Sequence, residues 1–342
     1  MATDVAPAPR ERGWKYVLIA LAAFLLVPLI PPVRAFAPVA QTPVLLVPAI
    51  AACALVGWRA GGRFTLALIW CALTFWIMTR VPAAGGDSAS YTSIARGWGL
   101  LAAATFGLVS LAAPGRRFLP RALVGIGIAV GVALLLSAVG IVTFAGAERA
   151  IEAQYEQRNA EAVTELRRWA ARNESEWSSF VERFPGAERL LPDSEQMLST
   201  LSRLAILVFP ALLAIESLAA LALAWSLYHR VTRVRIGAPL STLREFRFSD
   251  QLVWALVAGI AIVLLPGLTV LRSAGLNLLV FFGTLYALRG VGVLFWLLAP
   301  YDFAIALACI VGVLAWPLFT AVALGLGLGD TWRDWRKPRR VT

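Results

Sequence analysis

Charge is scarce in this sequence. Only 15% of its 342 residues are Asp, Glu, Lys or Arg, while 59% are apolar; an ordinary soluble chain carries roughly a quarter charged residues. Lysine occurs only at Lys15 and Lys337, and histidine only at His229. So little charge on so long a chain excludes an ordinary soluble globule. The net charge of +11 rests almost wholly on arginine, spread over short loops and tails. It is therefore read against a membrane surface, and no nucleic-acid partner is expected.

The signatures of common chemistries are also missing. There is no GxxxxGK[ST] phosphate loop, which excludes nucleotide hydrolysis by that route, and no HExxH helix. Cys53, Cys71 and Cys309 lie within apolar runs with no CxxC spacing and no neighbouring His, which points to packing and not to a metal site. His229 ends an apolar run beside Arg230 and is expected in an interfacial loop. Asp250, Asp302 and Asp330 each sit at the edge of an apolar run, whereas intramembrane proteolysis needs a pair within one. No cofactor, metal or catalytic residue is assigned, and the chain is expected not to be an enzyme.

What the sequence has is length without charge. A spanning helix needs about 20 mostly apolar residues. Nine stretches approach or meet this: 17–33, 43–58, 64–79, 97–115, 122–147, 204–228, 251–271, 273–301 and 303–329. The expected fold is all-α, a polytopic transmembrane helical bundle. The first run ends in VPLIPPV without a small-residue cleavage site, so it is read as a span and not a removed signal peptide.

Basic residues in short loops mark the cytoplasmic side. With the N-terminus inside, Arg59 and Arg63, then Arg116, Arg117 and Arg121, then the cluster from Arg230 to Arg247, all fall inside. The tail TWRDWRKPRR should fall there too, which requires an even number of crossings. Two layouts remain open: eight crossings with 273–301, carrying Arg289 and Gly290, as an irregular or re-entrant segment, or nine crossings with the tail outside.

The chain then divides into a cytoplasmic tail at 1–16, about five helices over 17–147, an insertion at 148–200, about four apolar segments over 201–329, and a basic aromatic cytoplasmic tail at 330–342. The insertion places Ile151, Tyr155, Ala162, Leu166 and Ala170, then Trp177, Val181 and Phe184, mostly three or four apart. That spacing predicts amphipathic helices outside the membrane.

Two charges are embedded in apolar runs, Glu216 and Arg289, and an ionisable residue at such depth marks a functional site or a compensating pair. They form either a structural ion pair with each other or a pocket for a polar ligand. Tyr286 and Asn277, on the same segment as Arg289, complete the candidate ligand-binding set, and Pro210 could kink the Glu216 helix. At the end of the chain Trp332, Arg333, Trp335, Arg336 and Lys337 read as a membrane-interface anchor for anionic lipid headgroups on the cytoplasmic face. Gly325, Gly327 and Gly329 are spaced by two and do not form a GxxxG packing motif.

Four stretches carry a family resemblance: LVPAIAACALVGWRAGGR at 46–63, PLSTLREFRFSDQLVW at 239–254, GLNLLVFFGTLYALRGVGVLF at 275–295, and the closing LGLGDTWRDWRK. Together they resemble the YybS-like family of bacterial multi-spanning membrane proteins (domain of unknown function 2232). The resemblance implies a bacterial inner-membrane protein with a distant relation to the substrate-binding components of energy-coupling transporters. Such components capture a small molecule within the membrane and rely on separate ATPase and coupling subunits as membrane partners. They carry an Ala-x-x-x-Ala surface on an early helix, which the first span VLIALAAFLLVPLI lacks. The expected role is binding or transport of a small ligand; the other reading is a structural or regulatory protein recruiting partners through its insertion and the Phe–Arg loop at 239–254.

Overall fold

A computed structural model of the chain describes residues 13–80, 87–140, 143–184, 189–232, 235–299, 301–333 and 335–336. Among these the regular structure is helical throughout, with no strand. The chain forms two compact units. One comprises Met1–Ile206 with Glu216–Leu240, the other Leu207–Ile215 with Ser241–Thr342.

The first unit opens with α1 (Trp14–Leu26) and the one-turn α2 (Pro31–Arg34), followed by α3 (Pro43–Arg59), α4 (Phe64–Arg80), α5 (Asp87–Ala112) and α6 (Phe118–Ala138). Within it, α3 packs on α4 and α5, and α5 on α6. Small residues permit close approach where lipid supplies no hydrophobic drive. A Cβ on Gly125 would meet the Phe106 backbone at 3.1 Å, and one on Gly99 the Val44 carbonyl oxygen at 2.5 Å. The core gathers Val44, Ala49 and Cys53 of α3, Phe106 of α5, Ala122 and Ala129 of α6, and Leu221 and Trp225 further on.

Arg121, expected in a basic cytoplasmic cluster, turns inward instead and is fully buried. Its Nη2 donates to the carbonyls of Pro114 and Arg116 at 3.0 and 2.8 Å and, more weakly, of Ala113 at 3.4 Å, while the guanidinium lies 4.5 Å from the Trp225 ring centre. It thereby satisfies carbonyls of the turn between α5 and α6. His229 is likewise not an interfacial loop residue: it is buried, edge-on to Trp225 and Tyr228.

The insertion is helical, as its periodicity predicts: α7 (Phe144–Arg172), α8 (Glu174–Arg183) and α9 (Leu190–Leu207). Ala150, Tyr155, Arg158 and Ala162 form the buried stripe of α7. Ala162 packs with Leu198 of α9 and with Ala35. Arg167 grips Glu195 with two bonds of 2.7 Å. The chain breaks at Val208 and continues as α10 (Phe209–Val231), whose residues from Glu216 onward belong to the first unit. The units divide at 206/207, inside α10 at 215/216, and again at 240/241.

The second unit adds α11 (Val253–Leu264), α12 (Arg272–Leu297), α13 (Asp302–Leu314) and α14 (Trp316–Trp332). Leu265 leaves helical geometry before Pro266 and ends α11. Segment 273–301, irregular in one of the two expected layouts and a full span in the other, holds an unbroken helix, α12, from Arg272 to Leu297. The bend lies in the next stretch, where Phe303–Gly312 and Trp316–Trp332 meet at 117°. Ala315 sits at φ −120°, ψ 46°, and Pro317 follows with no amide hydrogen to carry the ladder through. The charge of Arg289 does not break its helix because that charge is paired, as shown below.

Among the described residues, four helices are long and apolar enough to cross a bilayer: Ser90–Ala112, Phe118–Ala138, Phe209–Val231 and Pro266–Leu297, or five spans if the bent pair counts as one. Four further apolar helices, Trp14–Leu29, Pro43–Arg59, Phe64–Thr79 and Asp250–Leu264, are shorter.

Candidate functional site

In the first unit, polar groups converge where residues 35–42 meet α5, α7 and α10. Glu216 of α10 accepts a 2.9 Å hydrogen bond from the Val39 amide. Arg158 of α7 donates to the Ala37 carbonyl at 2.7 Å, and its guanidinium stacks 5.0 Å from the Tyr91 ring centre and 5.8 Å from that of Tyr155. It is also the cation whose field reaches the Glu216 carboxylate. Tyr155 donates to the Phe36 carbonyl at 3.2 Å, and burial pushes its phenol far above the ordinary range, so it is a fixed neutral donor.

Beside this cluster lies a cavity of about 170 Å³ lined by Tyr91, Arg158, Gln41, Gln154, Gln157 and Arg34, among others. Tyr91 and Arg158 are each 5% exposed. The Tyr91 hydroxyl and the Arg158 Nε have no hydrogen-bond partner among the described residues. A buried polar atom left unmatched costs about 1–3 kcal/mol. Both residues line one polar cavity together with Gln41, Gln154 and Gln157, a lining that suits an occupant able to accept hydrogen bonds.

In the second unit, Arg289 is 4% exposed and fully engaged at three points. Its Nε donates to Asp330 Oδ2 at 2.8 Å, its Nη2 to the Asp330 main-chain carbonyl at 3.0 Å, and its Nη1 to Asp250 Oδ1 at 2.7 Å. Arg336 also binds Asp330 Oδ2 and donates from Nη1 to the carbonyls of Arg244 and Phe246 at 2.9 and 3.1 Å. Phe248 lies 5.4 Å from the Arg289 guanidinium and edge-on to Tyr286. This arrangement is an ion network that fastens the loop and the residues after α14 onto α12.

α12 and α14 approach closely enough for it through paired glycines. A Cβ on Gly290 would collide with the Ala323 carbonyl oxygen, and one on Gly327 with that of Tyr286. A Cβ on Gly292 would likewise strike the Leu243 carbonyl oxygen.

The four expected ligand residues therefore separate. Glu216 belongs to the first cluster, while Arg289 and Tyr286 belong to the second. Each embedded charge has partners within its own unit. Asn277 does structural work: its Oδ1 accepts the Ala211 amide at 2.8 Å and its Nδ2 reaches the Leu207 carbonyl at 3.1 Å, capping the start of α10. Of the expected interface anchor, Trp332 and Arg333 are exposed, but Trp335 rests on Gly329 and Arg336 is buried against Asp330. Lys337 lies outside the described residues.

Asp330 and Asp250 were legible only as charges at the ends of apolar runs, and Arg158 as one cation among many in an amphipathic helix. The spacing of Arg158 three residues beyond Tyr155 and four before Ala162 put it on the apolar stripe, the one signal that it faces inward.

Residues 91–331 match a family described as predicted membrane protein, DUF2232. The chain belongs to the DUF2232 family. The family match begins at Tyr91 and takes in Arg158, Glu216, Arg289 and Asp330, so both clusters lie within it. No curated protein and no solved structure matches the chain. Residence in a membrane, with lipid against the exposed apolar helix faces, is what DUF2232 membership and the apolar helices establish.

Proposed function

We propose that this DUF2232 protein is a multi-pass protein of the bacterial inner membrane that binds a small polar ligand in the Arg158–Tyr91 cavity and performs no chemistry on it. The observation that carries the reading is a polar cavity lined by Tyr91, Arg158, Arg34 and three glutamines. The cavity's own charges are cationic, Arg34 and Arg158, which suits a ligand bearing a carboxylate or a similar acceptor group. Capture of such a ligand for passage across the membrane, with a separate energising subunit, is the role that the transporter resemblance adds.

The proposed layout has the N-terminus inside, eight crossings, and the bent α13–α14 pair as a re-entrant element. Support comes from Arg336, whose bonds to the Arg244 and Phe246 carbonyls hold the residues after α14 beside the basic loop at 235–250. An even crossing count then follows without a buried charge lying in lipid. The second reading, partner recruitment through the LREFRF loop, has less in its favour, because this loop spends its carbonyls on Arg336 and its Phe248 on Tyr286.

The test is mass spectrometry of small molecules released on denaturing protein purified in mild detergent. One compound should be retained by the unaltered protein and by Glu182→Ala at the exposed end of α8. It should be lost from Arg158→Ala and reduced in Tyr91→Phe. Retention of the same compound at the same level by all four proteins would overturn the assignment of the cavity.

A further inference from the structure

A second cavity of the first unit has a different chemistry. It measures about 310 Å³ and opens between α1, α3, α4 and the end of α10. Its walls carry the indoles of Trp14, Trp58 and Trp70 with Ile50, Ala54 and Leu66, and Arg63 stands at its rim. Glycine shapes the turn that presents Arg63. Gly61 takes φ +96°, a region open to few L-residues, and a Cβ on Gly62 would meet the Gly57 carbonyl oxygen at 2.6 Å. The turn therefore folds tightly back on the end of α3 and delivers Arg63 to the cavity mouth.

Arg59 and Arg63 are both exposed, and neither has a hydrogen-bond or ion-pair partner among the described residues. Arg167 and Arg168, by contrast, each hold a carboxylate. Indoles settle at the boundary between hydrocarbon and headgroups, where basic residues meet anionic lipid. An apolar cavity lined by three tryptophans and by one uncompensated guanidinium, that of Arg63, matches one kind of molecule: an acyl chain joined to a phosphate.

We propose that this cavity is a binding site for an anionic phospholipid, with one acyl chain between α3, α4 and α10 and the headgroup phosphate at Arg63. The site lies apart from the polar cavity at Arg158 and stands or falls independently of it. Gly57 contributes by omission: a Cβ there would press on the Tyr228 ring at 2.7 Å and force that wall to shift.

The experiment is native mass spectrometry of the full chain, released from nanodiscs that contain equal amounts of phosphatidylglycerol and phosphatidylcholine. The unaltered protein should carry phosphatidylglycerol in preference. Arg63→Gln, an exposed substitution compatible with folding, should lower that occupancy by about fivefold, the size of effect one basic residue has at an anionic surface. Ala54→Trp, which fills the cavity, should abolish tight retention of either lipid. A thermal-shift series with inorganic phosphate alone should show no stabilisation, since the acyl chain supplies the apolar part of the contact. Equal occupancy by the two lipids, or full retention in both variants, would overturn the proposal, as would a phosphate effect matching that of the lipid.

Discussion

Arg289 of α12 grips Asp330 of α14 twice, through the carboxylate at 2.8 Å and through the main-chain carbonyl at 3.0 Å. The second bond makes the contact sensitive to the backbone of α14 as well as to the charge. Asp330 is shared with Arg336, so one carboxylate compensates two buried cations. Removing one member of a buried ionic cluster costs about 3–5 kcal/mol, because the partners remain buried and unpaired. Asp330→Ala is accordingly expected to lower the thermal midpoint in detergent sharply and to reduce membrane yield. Asp250→Ala should cost under about 1 kcal/mol, since its side chain is 59% exposed and water can replace it at Arg289. Equal losses from the two substitutions would contradict this division.

Glycine at the α12–α14 crossing leads to a second expectation. Gly290→Ala and Gly327→Ala each put a methyl group into a carbonyl oxygen of the opposite helix, so both should prevent accumulation of folded protein or separate the helices. Gly325→Ala and Gly283→Ala, where nothing lies within 4 Å, should accumulate normally. Fluorescence-detected size exclusion of the four variants separates these outcomes.

Arg121 supplies a third. Its carbonyl bonds all come from Nη2, and its guanidinium plane also lies 4.5 Å from the Trp225 ring centre, a stacking contact that a lysine ammonium cannot reproduce. Arg121→Lys keeps the charge and is still expected to destabilise by about 1–2 kcal/mol, the size of a desolvated guanidinium–indole contact. The exposed Arg117→Lys should be indistinguishable from the unaltered chain by the same thermal unfolding measurement.

The α7–α9 contact has a predictable pH response. The hydrogen bond from Arg167 holds the Glu195 carboxyl below its ordinary value of 4.5. Its contribution is therefore fully present above that value and is lost as pH falls through the lower, folded-state value. Protection of the α9 amides, taken relative to their intrinsic exchange rate at each pH, should fall on acidification below about pH 4.5 in the unaltered chain. Glu195→Gln should exchange faster at neutral pH and show a smaller change on acidification.

Much of the architecture was legible because lipid restricts what a chain can do. Every backbone polar group must be satisfied within the segment, so an uncharged run of sufficient length becomes a helix. The amphipathic insertion was equally readable, since Tyr155 and Ala162 recur at helical spacing and both are buried. Partner choice was not readable. Glu216 and Arg289 were each other's obvious complement as the two charges embedded in apolar runs. Each instead found groups that sequence places at the edges of apolar runs or in loops: the Val39 amide for one, Asp330 and Asp250 for the other. Periodicity reports which face a residue occupies but not which face of another helix it will meet.

The misplaced irregularity follows from the same limit. A lone arginine in an apolar run suggests a break, yet Arg289 keeps its helix intact because two carboxylates neutralise it. Pro317 and the distorted Ala315 were the stronger local signals for a bend, and the chain turns there by 117°. The glycines at 325–329 conceal their role for a related reason. Gly327 pairs with Gly290, 37 positions earlier, and no periodicity within either helix announces the match.

That glycine pair also restricts how α12 can move. Sliding α14 along its partner by one turn, about 5.4 Å, would bring Ala323 or Thr331 to the place of Gly327, with a side chain where a carbonyl oxygen already stands. Drawing the helices apart would strip Asp330 from Arg289. Translation and separation are thus both stiff coordinates, and a displacement applied to either helix travels through the pair as rotation of a single lever.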